Sequence, residues 1–175
     1  MKNKILPGLC ALLLSLLFIV PAYAQKSDLR SFLTKEGYIA IKLNKLLIGH
    51  LYLEGTLNGV KGKFILDSGA GATVIDETVK DKFKLNTDKG GDIPAAGAGS
   101  ASLTAKMVAG NTLVLGNYKR GDFSLAVMNL DHVNNALKAV GISPFDGVIG
   151  ADILSSGKAV IDYATLTLYL QNIAH

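Results

Sequence analysis

The chain has 175 residues, of which 49% are hydrophobic and 7% aromatic, and its formal net charge is +4 at pH 7. This length predicts one domain. The charge is small and no basic run is interleaved with aromatic residues, so we expect a solvated charged surface and no nucleic-acid partner.

The first 24 residues have the pattern of a secretory signal peptide. Lys2 and Lys4 precede an apolar run, which ends in an Ala-x-Ala sequence at residues 22–24. We expect cleavage after Ala24 and export of the remainder to the periplasm or the medium. The alternative is an uncleaved membrane anchor, since residues 5–24 are nearly all apolar.

Cleavage would also remove Cys10, the only cysteine of the chain. The mature chain would then have no disulfide and no thiol chemistry, although export usually permits disulfides. It would carry 16 basic and 14 acidic residues, a net charge of +2. Its stability would have to come from an apolar core.

Residues 25–37 are predicted to form a helical lead-in, and residues 38–175 the main domain. A first strand is predicted at 38–43, and residues 50–57 alternate between apolar and polar, which is typical of a half-buried strand. Asn58–Gly59 predicts a two-residue hairpin turn, after which residues 60–66 return as a strand. We interpret His50 as a surface residue of the first arm, and we expect no metal site because neither His nor Cys lies at ligand spacing from it.

The returning strand ends in Asp67, which Ser68 and Gly69 follow. A buried carboxylate is costly unless it is paired or hydrogen-bonded, so a chain that places Asp67 here is expected to use it. Ser68 offers a hydroxyl that neighbouring backbone can hold, and Gly69 permits a sharp turn. Ala70 and the next two residues are small, so a second copy of the loop could approach closely.

Two other interpretations of this stretch remain open from the residues alone. Gly69 and Gly71 after a strand resemble part of a dinucleotide-binding turn, but Val74 stands where that motif needs a third glycine. The β-branched residues 73–75 also favour a strand over the helix that the motif requires. The plainer alternative is that Asp67 is an ordinary turn residue.

The middle of the chain predicts a helix and a long hairpin. Asp76 is expected to cap a short helix that extends to about Leu85. Residues 86–100 are rich in glycine and alanine, and two strands should follow at 101–115, with a break near Gly110, and at 123–130. A glycine-rich arm after Asp67 suggests a mobile flap over a substrate, whereas composition alone suggests a flexible linker. The flap residues would be Gly97, Ala98, Gly99 and Ser100.

The last third predicts two helices and three strands. Asp131 should cap a helix that Gly141 ends. An apolar segment at 145–150 leads into a second short helix, which Gly157 ends. Strands at 158–163 and 166–171 close the domain, and no second Asp-Ser/Thr-Gly sequence occurs.

Two segments, in this order, resemble the retropepsin-like aspartyl protease family. Residues 58–75 contain the hairpin, the strand and the sequence Asp67-Ser68-Gly69-Ala70, and residues 146–154 contain Asp-Gly-Val-Ile-Gly-Ala-Asp-Ile-Leu. The resemblance covers about residues 38–170, and the chain looks like a bacterial secreted member with a single active-site loop. It implies an all-β fold: a closed retropepsin-like acid-protease barrel with a flap hairpin and short helices. In this family the second segment threads behind the active site.

The resemblance also implies an aspartic endopeptidase, a hydrolase that needs no cofactor. Two close carboxyls share one proton, so that one activates water while the other polarises the peptide carbonyl. The chain offers one such carboxyl, on Asp67, and a two-fold homodimer would place it beside its own mate. Ser68, Gly69 and Ala70 would support the loop. The substrate would be a peptide or protein.

One departure from the family and one alternative function bear on this expectation. Viral members carry arginine at the position of Ala151, where it ties the base of the dimer, so their dimer geometry is not carried over to this chain. Asp146, Asp152 and Asp162 are expected to be structural rather than catalytic. The alternative function is an inactive peptide-binding module with the same fold, in which peptide adds to an exposed strand.

Overall fold

The computed structural model describes residues 28–88, 90–97 and 100–172. The predicted signal peptide at 1–24 lies outside the described residues. Among the helices that are described, none has the length and apolar character needed to cross a membrane.

The described residues form eleven strands, three α-helices and one 3₁₀ turn. In chain order they are α1 (Leu29–Lys35), β1 (Tyr38–Lys42), β2 (Asn44–Lys45), β3 (Leu51–Leu57), β4 (Val60–Leu66), β5 (Val74–Asp76), a 3₁₀ turn (Glu77–Val79), β6 (Asp92–Gly97), β7 (Ser100–Leu115), β8 (Tyr118–Met128), α2 (Asp131–Ala139), β9 (Gly147–Ile149), α3 (Ala151–Ser156), β10 (Val160–Asp162) and β11 (Thr167–Gln171).

Six of these strands close into a barrel in the order β3–β4–β9–β5–β8–β7. The ring is completed where the end of β3 pairs with β7, Thr56 opposite Val114 and Leu57 opposite Leu113. Strand β2 extends the barrel beside β3, and β6 extends it beside β7. A separate three-stranded sheet has the order β1–β11–β10. The predicted all-β fold with a closed barrel and short helices is therefore confirmed.

The β3–β4 hairpin has the predicted turn. Asn58 and Gly59 both have positive φ, 50° and 80°, as a type I′ turn requires. The Asn58 side chain also fastens this turn to the rest of the barrel, because its Nδ2 donates to the Phe83 carbonyl and to Asn111 Oδ1, both at 2.9 Å. Its Oδ1 accepts from the Thr112 N–H at 2.9 Å. One polar side chain thus holds the hairpin tip against β7 where the barrel closes.

Strand β9 is inserted between two strands that are near each other in sequence. It pairs in parallel with β4 and antiparallel with β5. The insertion needs glycine at position 147, since an added Cβ would collide with the Val74 carbonyl oxygen and lie 2.9 Å from Ile75 Cδ1. The core on the inner side of these strands includes the fully buried Phe64 and Phe83. Because β9 runs parallel to β4 and beside it, the segment after β9 lies next to the loop that follows β4.

The structure corrects the expected helix between Asp76 and Leu85. Asp76 does cap, because its Oδ1 accepts from the Thr78 N–H at 3.0 Å, but only the 3₁₀ turn at 77–79 follows before the chain continues in turns. Lys84 has a φ of +57°, which no α-helix accommodates. Phe83 is fully buried in this segment, so packing of its ring against Phe64 takes precedence over helical spacing.

Several other boundaries also differ from the sequence-based expectation. Strand β7 is not broken near Gly110; it continues through a register shift between Val108 and Asn111, where Asn111 Nδ2 donates to the Val108 carbonyl at 2.7 Å. Strand β8 begins at Tyr118 rather than 123, and β2 was not expected. Asp131 lies inside α2 instead of capping it; the N-cap residue is Leu130, which has no side-chain cap hydrogen bond, and Asn129 Oδ1 accepts from the Asp131 N–H at 2.7 Å.

Candidate active site

Asp67 lies directly after β4, at the start of the loop that leads to β5. Its N–H donates to the Ile149 carbonyl at 3.1 Å, which ties the loop to the end of β9. Its carboxylate Oδ1 accepts from the Gly69 N–H at 2.8 Å, and its carbonyl accepts from the Ala70 N–H at 3.3 Å. The loop therefore orients its own carboxylate, while Asp67 and Ser68 remain exposed. The expected hydrogen bond between the Ser68 hydroxyl and neighbouring backbone is not found among the described residues.

The far side of this loop is supported by the start of α3. The Ala151 N–H donates to the Ala70 carbonyl at 2.7 Å, and the Gly150 N–H donates to Thr73 Oγ1 at 3.2 Å. A Cβ at Gly150 would collide with the Ala72 carbonyl oxygen and lie 2.5 Å from its carbon. Glycine at 150 is thus required for α3 to approach the loop so closely.

Thr73 links the loop to a carboxylate of α3. It is buried, and its hydroxyl donates to Asp152 Oδ1 at 2.8 Å while accepting from the Gly150 N–H. Asp152 Oδ1 also accepts from the Ile153 N–H at 2.8 Å, so the carboxylate lies in the first turn of α3, where negative charge is favourable. The hydroxyl of Thr73 and the carboxylate of Asp152 therefore hold the two segments together.

Asp146 and Asp162 also have structural partners. Asp146 pairs with Lys82 at 2.6 Å through Oδ1 and accepts from the Lys63 N–H at 2.8 Å through Oδ2. Asp162 accepts from Thr165 Oγ1 at 2.7 Å, and this bond is the main cause of a pKa lowered from the ordinary 3.8. Neither carboxyl lines the pocket that contains Asp67.

That pocket is a cleft of about 170 Å³ beside Asp67. It is lined by residues from three parts of the chain: Gly49, His50, Leu51, Leu66, Asp67, Ser68, Ile161 and Tyr163. His50 is exposed, as expected from the sequence, but its place in the cleft and that of Tyr163 were not predicted. A signal for His50 was available, because counting back from the Asn58–Gly59 turn pairs Leu51 with Leu66 and so brings His50 beside Asp67.

The predicted flap is a hairpin of β6 and β7. Gly97 pairs with Ser100 as its last rung, whereas Ala98 and Gly99 lie outside the described residues. No hydrogen bond in the described part of the chain joins this hairpin to Asp67. The structure thus brings Asp67, Ser68, Gly69 and Ala70 together in one loop, and carries Gly97 and Ser100 on a separate arm. In the ranges described, no group of three or more metal-ligating side chains could hold a metal ion.

Known proteins share features of this sequence and this fold. The sequence profile of a family described as aspartyl protease matches residues 53–153. The structure of a retropepsin-like aspartic protease from Rickettsia conorii superposes with a TM-score of 0.54 at 21% identity, covering 77% of this chain and 91% of that one. The retroviral protease-like domain of Ddi1 from Leishmania major gives a TM-score of 0.49 at 19% identity, over 71% and 90% of the two chains. No curated protein sequence matches.

Proposed function

Because the chain belongs to the retropepsin-like aspartyl protease family, we propose that it is an aspartic endopeptidase that acts as a homodimer. The observation that carries this proposal is the Asp67 carboxylate, which stands exposed at the start of a loop that orients it through the Gly69 N–H. The structure corrects one premise, because Asp67 is exposed and not buried as expected from the sequence; the support for a chemical role is its place in the Asp-Ser-Gly loop, with its carboxylate held by the Gly69 N–H.

The proposed reaction needs two Asp67 carboxyls, one from each protomer. Two carboxyls in contact share one proton, because both cannot be ionised together at close range. The ionised carboxylate takes a proton from a water molecule as the water oxygen attacks the peptide carbonyl carbon. The protonated carboxyl donates to the carbonyl oxygen, and the tetrahedral intermediate then collapses as a proton passes to the leaving amine.

The hydrogen-bonding pattern of Asp67 suits this role. Oδ1 is held by the Gly69 N–H, whereas Oδ2 has no hydrogen-bond donor in the described ranges and is open to water or to the partner carboxyl. The support from α3 through Thr73 and Gly150 limits movement of the loop. A fixed carboxylate is valuable because catalysis depends on reacting groups being held in position.

The second carboxyl is proposed to come from another copy of the chain. Asp146 and Asp152 are each engaged in structural hydrogen bonds, and Asp162 closes the turn after β10. A two-fold dimer supplies a chemically identical partner for Asp67. We further propose that the protein is exported after cleavage behind Ala24, and that residues 97–100 close over an extended peptide substrate.

The test is hydrolysis of a random peptide mixture by the purified protein, read by mass spectrometry, with pepstatin as an inhibitor control. Asp67→Asn should abolish cleavage without lowering the melting temperature, because asparagine keeps the size of aspartate but cannot take a proton from water. Ser68→Ala is the matched loop variant and should retain measurable activity. Cleavage by Asp67→Asn at the wild-type rate would disprove the assignment, and binding of peptide without turnover by the wild type would indicate a binding module.

A further inference from the structure

The cleft beside the proposed catalytic carboxylate presents mostly polar side chains. Two of its aliphatic lining residues, Leu51 and Leu66, are buried in the core, so their side chains add little surface to the cleft. His50, Ser68 and Tyr163 line the same cleft and are exposed. Each of these three carries a group that can donate a hydrogen bond. A few convergent donors of this kind fix which substrate groups a site accepts.

His50 is held at the cleft by backbone contacts. Its carbonyl accepts from the Leu46 N–H at 2.8 Å, which closes the turn between β2 and β3. The last rung of the β3–β4 ladder pairs Leu51 with Leu66, so His50 lies one position beyond this rung, on the strand opposite Asp67. The fold therefore places an imidazole next to the carboxylate that the proposed reaction uses.

The His50 side chain has no partner within the protein. Its imidazole makes no hydrogen bond or ion pair within the described ranges, and none with Asp67. Among the described residues that line the cleft, His50 is also the only one that can carry a positive charge. An imidazole becomes cationic as pH falls from about 8 to about 5. At acid pH the cleft therefore offers a positive charge that no side chain of the described chain neutralises.

We propose that His50 is a specificity-determining residue that selects peptides with an aspartate or glutamate close to the cleaved bond, an inference that rests on the proposed peptidase function. The substrate carboxylate accepts a hydrogen bond from the His50 imidazolium, and the Ser68 and Tyr163 hydroxyls are further donors in the same cleft. Neighbouring strands lie about 4.8 Å apart and an extended peptide advances about 3.3 Å per residue. The selected side chain thus belongs to a residue within about two positions of the cleaved bond.

The other titratable groups around His50 leave this charge available. Two Asp67 carboxyls that share one proton carry one negative charge, against two imidazolium groups in the proposed dimer. The Asp162 carboxylate accepts from Thr165 Oγ1 at 2.7 Å within its own turn. A phenol such as that of Tyr163 is ordinarily neutral at acid pH, and Lys45 of β2 adds a further positive charge on the strand beside β3.

The first experiment maps cleavage sites at pH 5 in a peptide mixture made from a digested proteome, read by mass spectrometry. Aspartate and glutamate should be enriched within about two positions of the cleaved bonds. His50→Gln keeps a polar side chain without the positive charge and should remove this enrichment. His132→Gln is the matched control, because His132 is exposed on α2 and does not line the cleft. The melting temperature of each variant reports whether it is folded.

The second experiment measures binding without turnover, in an Asp67→Asn background. Two rhodamine-labelled peptide pools that differ only in glutamate or glutamine at one fixed position are titrated and read by fluorescence anisotropy. The glutamate pool should bind about threefold to fivefold more tightly at pH 5, the range of an exposed ion pair. This difference should disappear at pH 8, where an imidazole is neutral. His50→Lys stays cationic and should keep the difference at pH 8.

The outcomes separate this proposal from the proposed function. Cleavage without acidic enrichment, or an enrichment that persists in His50→Gln, would overturn the role of His50 and leave the peptidase intact. Equal binding of the two pools at pH 5, or binding of neither pool, would also overturn it. A glutamate preference that depends on His50, in a wild-type protein that cleaves no peptide, would support the role of His50 and refute the peptidase.

Discussion

Replacing Thr73 by valine tests whether the loop that carries Asp67 depends on support from α3. Valine has nearly the shape of threonine, so the substitution removes the hydroxyl with little change in packing. It deletes the hydrogen bond to Asp152 Oδ1 and leaves the Gly150 N–H without its acceptor. Gly150 is buried, so water does not replace the lost acceptor of its N–H, whereas the half-buried Asp152 carboxylate is partly accessible to water.

The expected magnitude follows from these two bonds. A hydrogen bond to a charged group contributes about 1.5–3 kcal/mol, and leaving a buried donor unpaired costs about 1–3 kcal/mol, with partial overlap between the two. We therefore expect the free energy of unfolding to fall by about 2–3 kcal/mol. For a domain of this size each kcal/mol lowers Tm by about 2–4 °C, which gives a decrease of about 4–12 °C.

The assay combines thermal unfolding by circular dichroism with peptidase kinetics well below the variant's Tm. Thr73→Ser keeps the hydroxyl and should recover most of the stability, whereas Thr104→Val makes the same chemical change at an exposed position of β7 and should be neutral. A looser Asp67 loop should lower kcat more than it raises KM, because the chemical step depends on the carboxylate being held in position. If Thr73→Val melts like the wild type, the hydrogen bonds to α3 do not stabilise this loop.

Three further predictions concern processing, assembly and pH. Intact-mass analysis of the exported protein should give a chain that begins at Gln25, and a mass that retains residues 1–24 would contradict cleavage. Specific activity should fall on dilution together with the dimer fraction measured by light scattering, and constant activity in a proven monomer would exclude a shared pair of Asp67 carboxyls. The folded-state pKa of Asp162 is lowered, chiefly by the hydrogen bond from Thr165 Oγ1, so its stabilising effect is present above the unfolded value of 3.8 and is lost as pH falls through the folded one. The Tm difference between wild type and Asp162→Asn should accordingly shrink as pH falls below 3.8, and a constant difference would contradict this account.

Local patterns were sufficient for the hairpin and for the loop that follows it. Asn58 and Gly59 are a two-residue turn that fixes the register of β3 and β4, and this register places Asp67 at the end of β4. The same register also places His50 at the cleft. These features depend on residues that are close in sequence, so the sequence pattern contained the information needed.

Features that depend on distant contacts were missed. Thr73 and Asp152 are 79 positions apart, and the type of neither residue indicates that the two form a hydrogen bond. The expected helix at 76–85 was wrong because burial of Phe83 in the core outweighed its helical spacing, an effect that only the assembled barrel makes visible. Tyr163 reaches the cleft through the β10–β11 turn, whose place relative to Asp67 is set by the whole fold.

The insertion of β9 between β4 and β5 has a consequence for the order in which the protein folds. Residues 147–149 are synthesised about 80 positions after β4. Until they are present, β4 lacks its barrel neighbour on that side, and the Asp67 N–H lacks its acceptor, the Ile149 carbonyl. Contacts between such distant segments are slow to form, because a long loop must close first. We expect the Asp67 loop to become ordered late. A nascent chain would then carry Asp67 without the loop geometry that the proposed cleavage of neighbouring proteins requires.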